Sequence, residues 1–154
     1  MSLSQLVPSN TPFIDIINAG ETASHFNFSL NDNQLFAGNL EIIAEIQEGP
    51  LFQAKGFALA AWEWVTSNHY HFDPYSGERW QHAPYLFLNS LGFGYCDDAA
   101  SVLYYLLTAY GYEARVWGLS GHVVTEVLNN GKWELYDADP ALRALYIAAD
   151  GSIA

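Results

Sequence analysis

The chain has 154 residues, 51% of them hydrophobic and only 14% charged, which suits one packed domain and excludes an intrinsically disordered chain. Five Lys and Arg stand against seventeen Asp and Glu, and the formal net charge of −12 would repel a phosphate backbone, so nucleic acid is not expected as a partner. No basic start leads into an apolar stretch, and no apolar run reaches the roughly 18 residues of a membrane helix, so the chain as given reads as soluble, without a signal peptide or membrane span.

Residues 1–48 read as an N-terminal accessory segment. Phe26-Asn27-Phe28-Ser29-Leu30 alternates as a half-buried strand does, with a turn signal at Asn31-Asp32-Asn33. Leu40 to Ile46 is too short an apolar run to separate strand from helix. Residues 49–154 read as the core. Pro50 suits a first helical position, and Leu51, Ala54, Ala58, Ala61, Trp62 and Val65 recur at three-to-four spacing, predicting one helix to about Ser67. A polar, aromatic loop follows from Asn68 to Pro84, and Tyr85 to Leu88 leads toward the only cysteine.

A third helix is predicted to open at Cys96 and to close at Gly111, with Ala99, Leu103, Leu106, Leu107 and Tyr110 as its apolar stripe. Its start puts a thiol at the positive end of a helix dipole, while Asp97 and Asp98 in the same turn oppose ionisation of that thiol. Three strands come next: Glu113 to Leu119, His122 to Asn129 and Lys132 to Ala138, the last two joined by the hairpin dipeptide Asn130-Gly131. A two-residue turn there pairs Leu128 with Trp133, Val124 with Asp137 and His122 with Asp139. His122, Asp137 and Asp139 then project from one side of the hairpin. Leu142 to Ala149 and the turn signal Asp150-Gly151 close the chain, with too few residues after them for a full return strand, so the chain is expected either to continue or to end in a short edge.

A thiol, an imidazole and a carboxylate on three successive elements are the parts of a cysteine nucleophile with its base and its orienting group. The oxyanion formed on attack needs donors: the Cys96 N–H is one, and Asn89 is the candidate for a second, with Trp80 and Gln81 behind it. Asp139 competes with Asp137 as orienter. His69, His71 and His82 show no matching Cys or carboxylate spacing and read as loop histidines rather than metal ligands. A zinc on Cys96, His122 and Asp137 is chemically allowed. Trp80 or Trp117 could line a cleft, and Arg115 reads as the structural partner of a carboxylate.

Gly94-x-Cys96-x-Asp98-x-Ala100, Gly111-x-x-Ala114-Arg115-Val116, His122-x-x-x-Glu126-Val127 and Gly131-x-Trp133-x-x-x-Asp137 together resemble the transglutaminase-like superfamily over about Leu51 to Pro140. The resemblance implies an α+β, papain-like core, a nucleophile helix on a small antiparallel sheet. It implies Cys96 as nucleophile, His122 as general base and acid, Asp137 as orienter, and acyl transfer through a thioester with no cofactor and no metal. The expected partner is a protein, peptide or amide-containing glycan substrate, with hydrolysis favoured over transamidation. The other class of expectation is a non-catalytic interaction module on the same fold. Val123-Val124 stands where many members carry an aromatic residue soon after the histidine, so the substrate class is open. Compartment, organism and oligomeric state are not legible.

Overall fold

The computed structural model describes residues 29–30, 33–34, 36–74, 82–90 and 92–153. Near the start, β1 (Ser29–Leu30) and β2 (Asn33–Gln34) pair antiparallel, Leu30 with Asn33, and Asn31 and Asp32 of the predicted turn lie outside the described residues. Phe26 to Phe28 of the expected strand lie outside the described residues.

The ambiguous run after them is helix α1 (Asn39–Glu48), whose first turn is tied down by Glu41 Oε2 accepting the Ala37 N–H at 2.7 Å. Ile42, Ile43 and Ile46 are its buried face, and they join the same core as Leu103, Leu106 and Leu107, so that core reaches upstream of residue 49. Pro50 opens the next helix as expected, but the continuous helix predicted from there to Ser67 is two helices, α2 (Pro50–Lys55) and α3 (Phe57–Ser67). Gly56 divides them at φ 85°, a conformation that costs a side-chain-bearing residue about 1–2 kcal/mol and that periodicity alone does not reveal.

A second departure follows α3. Tyr70–His71 (β3) pairs in parallel with Phe93–Gly94 (β4), His71 opposite Gly94, with Tyr70 N–H donating to Gly92 and Phe72 N–H to Gly94. Between them, Pro84–Ser90 is a short helix, α4.

Helix α5 (Cys96–Tyr110) packs against α1, α3 and α4 and also against the strands β5 (Ala114–Leu119) and β6 (His122–Asn129). Ala99, Val102, Leu103, Leu106 and Leu107 are fully buried along it. At its end Gly111 takes φ 111°, its N–H and that of Tyr112 both reach the Leu107 carbonyl, and the Tyr110 ring stacks on Phe57 at 3.8 Å.

The sheet is antiparallel in the order β5 (Ala114–Leu119), β6 (His122–Asn129), β7 (Lys132–Tyr136). Asn130 at φ 51° and Gly131 at φ 79° make the two-residue turn, and the observed pairs Leu128 with Trp133 and Thr125 with Tyr136 keep the predicted register. The ladder stops there: Asp137 leaves it and donates its N–H to Ala144, so the expected pairs 124–137 and 122–139 do not form. The Thr125 hydroxyl donates to the Ala100 carbonyl at 2.7 Å, fixing β6 along the first turns of α5. Past Arg143 the chain makes only single bridges, Tyr136 to Leu145 and Ile147 to Ile153, the latter closing the Asp150-Gly151 turn.

Candidate active site

The first turn of α5 is built by a backward-folded carboxylate. Asp98 is buried, and its Oδ2 accepts the Tyr95 N–H at 3.0 Å, satisfying one amide just ahead of the helix. That fold-back explains Gly94, because a Cβ there would lie 2.4 Å from Asp98 Oδ2 and 2.8 Å from its Cβ. Gly94 and Asp98 are therefore packed together around the turn that carries Cys96. His82 Nε2 stands 3.4 Å from Asp98 Oδ1 and 3.8 Å from Asp97 Oδ2, linking the segment just before α4 to the same turn.

Cys96 is a free, half-buried thiol. His122 begins β6, which is held beside the start of α5 by the Thr125–Ala100 hydrogen bond. The Cys96 sulfur, a His122 ring nitrogen and an Asp139 carboxylate oxygen lie within 4.8 Å of one another. Asp137 is wholly buried, and its Oδ2 stands 2.8 Å from His122 Nε2. With Nε2 held as a donor to that carboxylate, Nδ1 is the nitrogen whose lone pair is left for the thiol.

Asp137 is itself fixed from two directions. Its Oδ1 accepts the Asp139 N–H at 3.1 Å, and its backbone carbonyl accepts the Trp62 indole N–H at 2.6 Å, which ties α3 to the end of β7. An unpaired carboxylate so deeply buried would be strongly disfavoured, and His122 and these backbone bonds are what accommodate it.

The two predicted orienters differ in their partners, and one partner is a residue read from the sequence as an ordinary loop histidine. His71 Nδ1 lies 2.8 Å from Asp139 Oδ1 and 3.0 Å from Oδ2, and Oδ1 also accepts the Ala141 N–H at 2.9 Å. Asp139 is thus the partner of His71, and Asp137 that of His122. The missed histidine reaches the site through the parallel pairing of β3 with β4, for which the local sequence carries no signal.

Burial raises the Cys96 thiol pKa, and the charges of Asp97 and Asp139 push it further in that direction; backbone N–H groups of Val123 and Asp97 act against them. The expected help from the helix terminus therefore does not prevail. Asn89 is a further correction. Its amide oxygen accepts the Phe36 N–H and its amide nitrogen donates to the Phe36 carbonyl, so it braces the segment before α1 and is not assigned to an oxyanion. Trp80 and Gln81 lie outside the described residues.

No family model, no curated protein and no solved structure matches this chain.

On the sheet, Arg115 pairs with Glu126 across the ladder at 2.6 Å and lies between the Trp117 and Trp133 rings, 4.5 and 4.1 Å from their centroids. This is the structural role expected of it. Trp117 and Leu119 are exposed on β5, and Leu119 sits directly opposite His122. Paired residues share a face, so an apolar shelf borders the imidazole. A cavity of about 260 Å³ lined by Asn39, His82, Ala83, Pro84 and Tyr105 includes none of Cys96, His122 and Asp137. No described helix is long and apolar enough to cross a membrane.

Proposed function

We propose that the chain is a transglutaminase-like thiol enzyme, papain-like in its core, that takes an acyl group from an amide or related bond through a thioester and passes it preferentially to water. The observation that carries this reading is the juxtaposition of the Cys96 sulfur with an imidazole whose far nitrogen is anchored, at 2.8 Å, on the buried Asp137. Three elements distant in sequence converge to make it. A cysteine that merely filled the core would need neither the imidazole nor the carboxylate behind it.

His122 Nδ1 accepts the thiol proton as sulfur bonds to the substrate carbonyl carbon. Charge moves to the carbonyl oxygen, and the Cys96 N–H, in a helix turn without intrahelical acceptors for its first amides, is the donor assigned to it. As the tetrahedral intermediate collapses, His122 returns its proton to the departing amine, leaving the acyl group on sulfur. Water then gives a proton to His122 and attacks the thioester, and the carboxylic acid leaves as Cys96 is reprotonated. Asp137 stays ionised throughout, holding the Nε2–H tautomer and balancing the imidazolium. The exposed Trp117 and Leu119 favour an apolar or aromatic group beside the scissile bond, in a protein, peptide or amide-containing glycan.

A second reading, a non-catalytic interaction module, draws support from the raised thiol pKa. An activated ester separates the two. With p-nitrophenyl acetate, the enzyme reading expects a burst of nitrophenolate and one acetyl group located on Cys96 by peptide mass, with Asp137→Asn slowing the burst on the order of 100-fold or more. Acetylation at the rate of an ordinary exposed thiol, unchanged in His122→Ala, would favour the module.

A further inference from the structure

We propose that Cys96, His122 and Asp139 form a binding site for one zinc ion, which caps the nucleophile when bound. The three side chains present one sulfur, one nitrogen and one oxygen within 4.8 Å of one another. A tetrahedral zinc with its usual bond lengths needs such donors about 3.4–3.6 Å apart, so side-chain rotation that closes the set by about 1 Å suffices. The donor types suit a borderline-soft divalent cation and not Mg²⁺ or Ca²⁺, which require oxygen ligands.

Protonation and hydrogen bonding at each donor agree with this assignment. His122 Nε2 is held by Asp137, which leaves the Nδ1 lone pair directed away from that carboxylate, and a ligand histidine is normally supported by just such a second carboxylate. Among the described residues, Asp139 Oδ1 carries two hydrogen bonds, from His71 at 2.8 Å and from the Ala141 N–H at 2.9 Å, and Oδ2 has the longer 3.0 Å contact to His71 alone. Oδ2 is therefore the oxygen with capacity for a cation while His71 holds its twin. On binding, Cys96 releases its proton to solvent and becomes a thiolate, which with the Asp139 carboxylate supplies two negative charges to the dication. The Val123 N–H already faces that sulfur. Cys96 and His122 keep partial solvent access, leaving the fourth position to water. The two carboxylates then have separate tasks: Asp137 orients the base, and Asp139 completes a cation site.

The binding rests on this side-chain geometry, and only its inhibitory consequence rests on the thiol-enzyme reading. The full chain is titrated with Zn²⁺ against a chromophoric chelator and with Co²⁺ in an absorption spectrometer. The expected result is one equivalent of metal with a thiolate-to-cobalt charge-transfer band, unaffected by excess Mg²⁺ or Ca²⁺, and protection of Cys96 from iodoacetamide by zinc. Prior alkylation of Cys96, or the near-isosteric Cys96→Ser, abolishes the band. Asp139→Asn weakens zinc by at least about tenfold, and His71→Ala, which removes only the support of a ligand, weakens it by about 10–100-fold. Zinc affinity unchanged in Cys96→Ser, or cobalt bound without sulfur-derived absorption, overturns the proposal and transfers the metal to His82, Asp97 and Asp98, the other described trio with donors this close. A protein that shows the cobalt band yet forms no acetyl-Cys96 retains the site and loses the enzyme.

Discussion

Acidification should destabilise this protein in a way traceable to one ring. His69 is 2% exposed, packs its ring on Phe87 at 5.3 Å, and neither ring nitrogen has a hydrogen-bond partner among the described residues. Burial lowers its pKa from 6.5 to about 4, although the Asp139 charge pulls the other way. The unfolded chain then binds a proton more readily than the folded one, so the stability contribution is complete above about pH 6.5, falls as the pH drops toward 4, and levels off below that. Integrating over that interval gives a loss of about 2 kcal/mol at pH 5 and about 3 kcal/mol at pH 4. The groups that face the ring, Asp139 and His71, are common to wild type and His69→Phe, so the difference between the two proteins isolates His69. Urea unfolding at pH 7, 5 and 4 is the measurement. The wild type should lose about 2–3 kcal/mol more than His69→Phe over this range, while at pH 7 the apolar ring removes no hydrogen bond to a described residue. Parallel stability curves for the two proteins would show that His69 is not a buried neutral imidazole, and the reasoning would fail.

Gly94→Ala should destabilise the fold by about 1–3 kcal/mol, because the new methyl collides with Asp98 and displaces its bond to the Tyr95 N–H; a thermal melt checks this, and an unchanged midpoint would mean that Asp98 does not fold back on the strand. Trp62→Phe keeps most of the buried ring but frees the Asp137 carbonyl, at a cost of about 1–3 kcal/mol, and should also slow acetylation of Cys96 by loosening the orienting carboxylate. A stability loss with wild-type acetylation would confine Trp62 to packing.

Which elements would form was largely legible in the residues. Periodicity and terminal signals placed α5 between Cys96 and Gly111, and Asn130-Gly131 set the β6–β7 register, because a helix stripe, a left-handed cap and a two-residue turn are all determined over a few neighbouring positions. The same local logic brought Cys96, His122 and the aspartates Asp137 and Asp139 forward as one constellation, and Asp137 was preferred only on the family resemblance. It failed where a choice depended on distant chain. Gly56 breaks a helix whose apolar spacing continues through it, and Asn89 has the right chemistry for an oxyanion donor but spends its amide on Phe36, 53 residues away.

The two aspartates show the division most clearly. Asp137 and Asp139 are two residues apart on one strand end, equivalent in type and in alternation, and only tertiary structure could assign them. Departure of Asp137 from the ladder puts it under Trp62 and against His122, while a two-residue parallel pairing delivers His71 to Asp139. Amino-acid order by itself determined which groups were available and which short elements would carry them. The partner of each group depended on long-range packing, since a buried carboxylate persists only where the rest of the chain has already placed its donors.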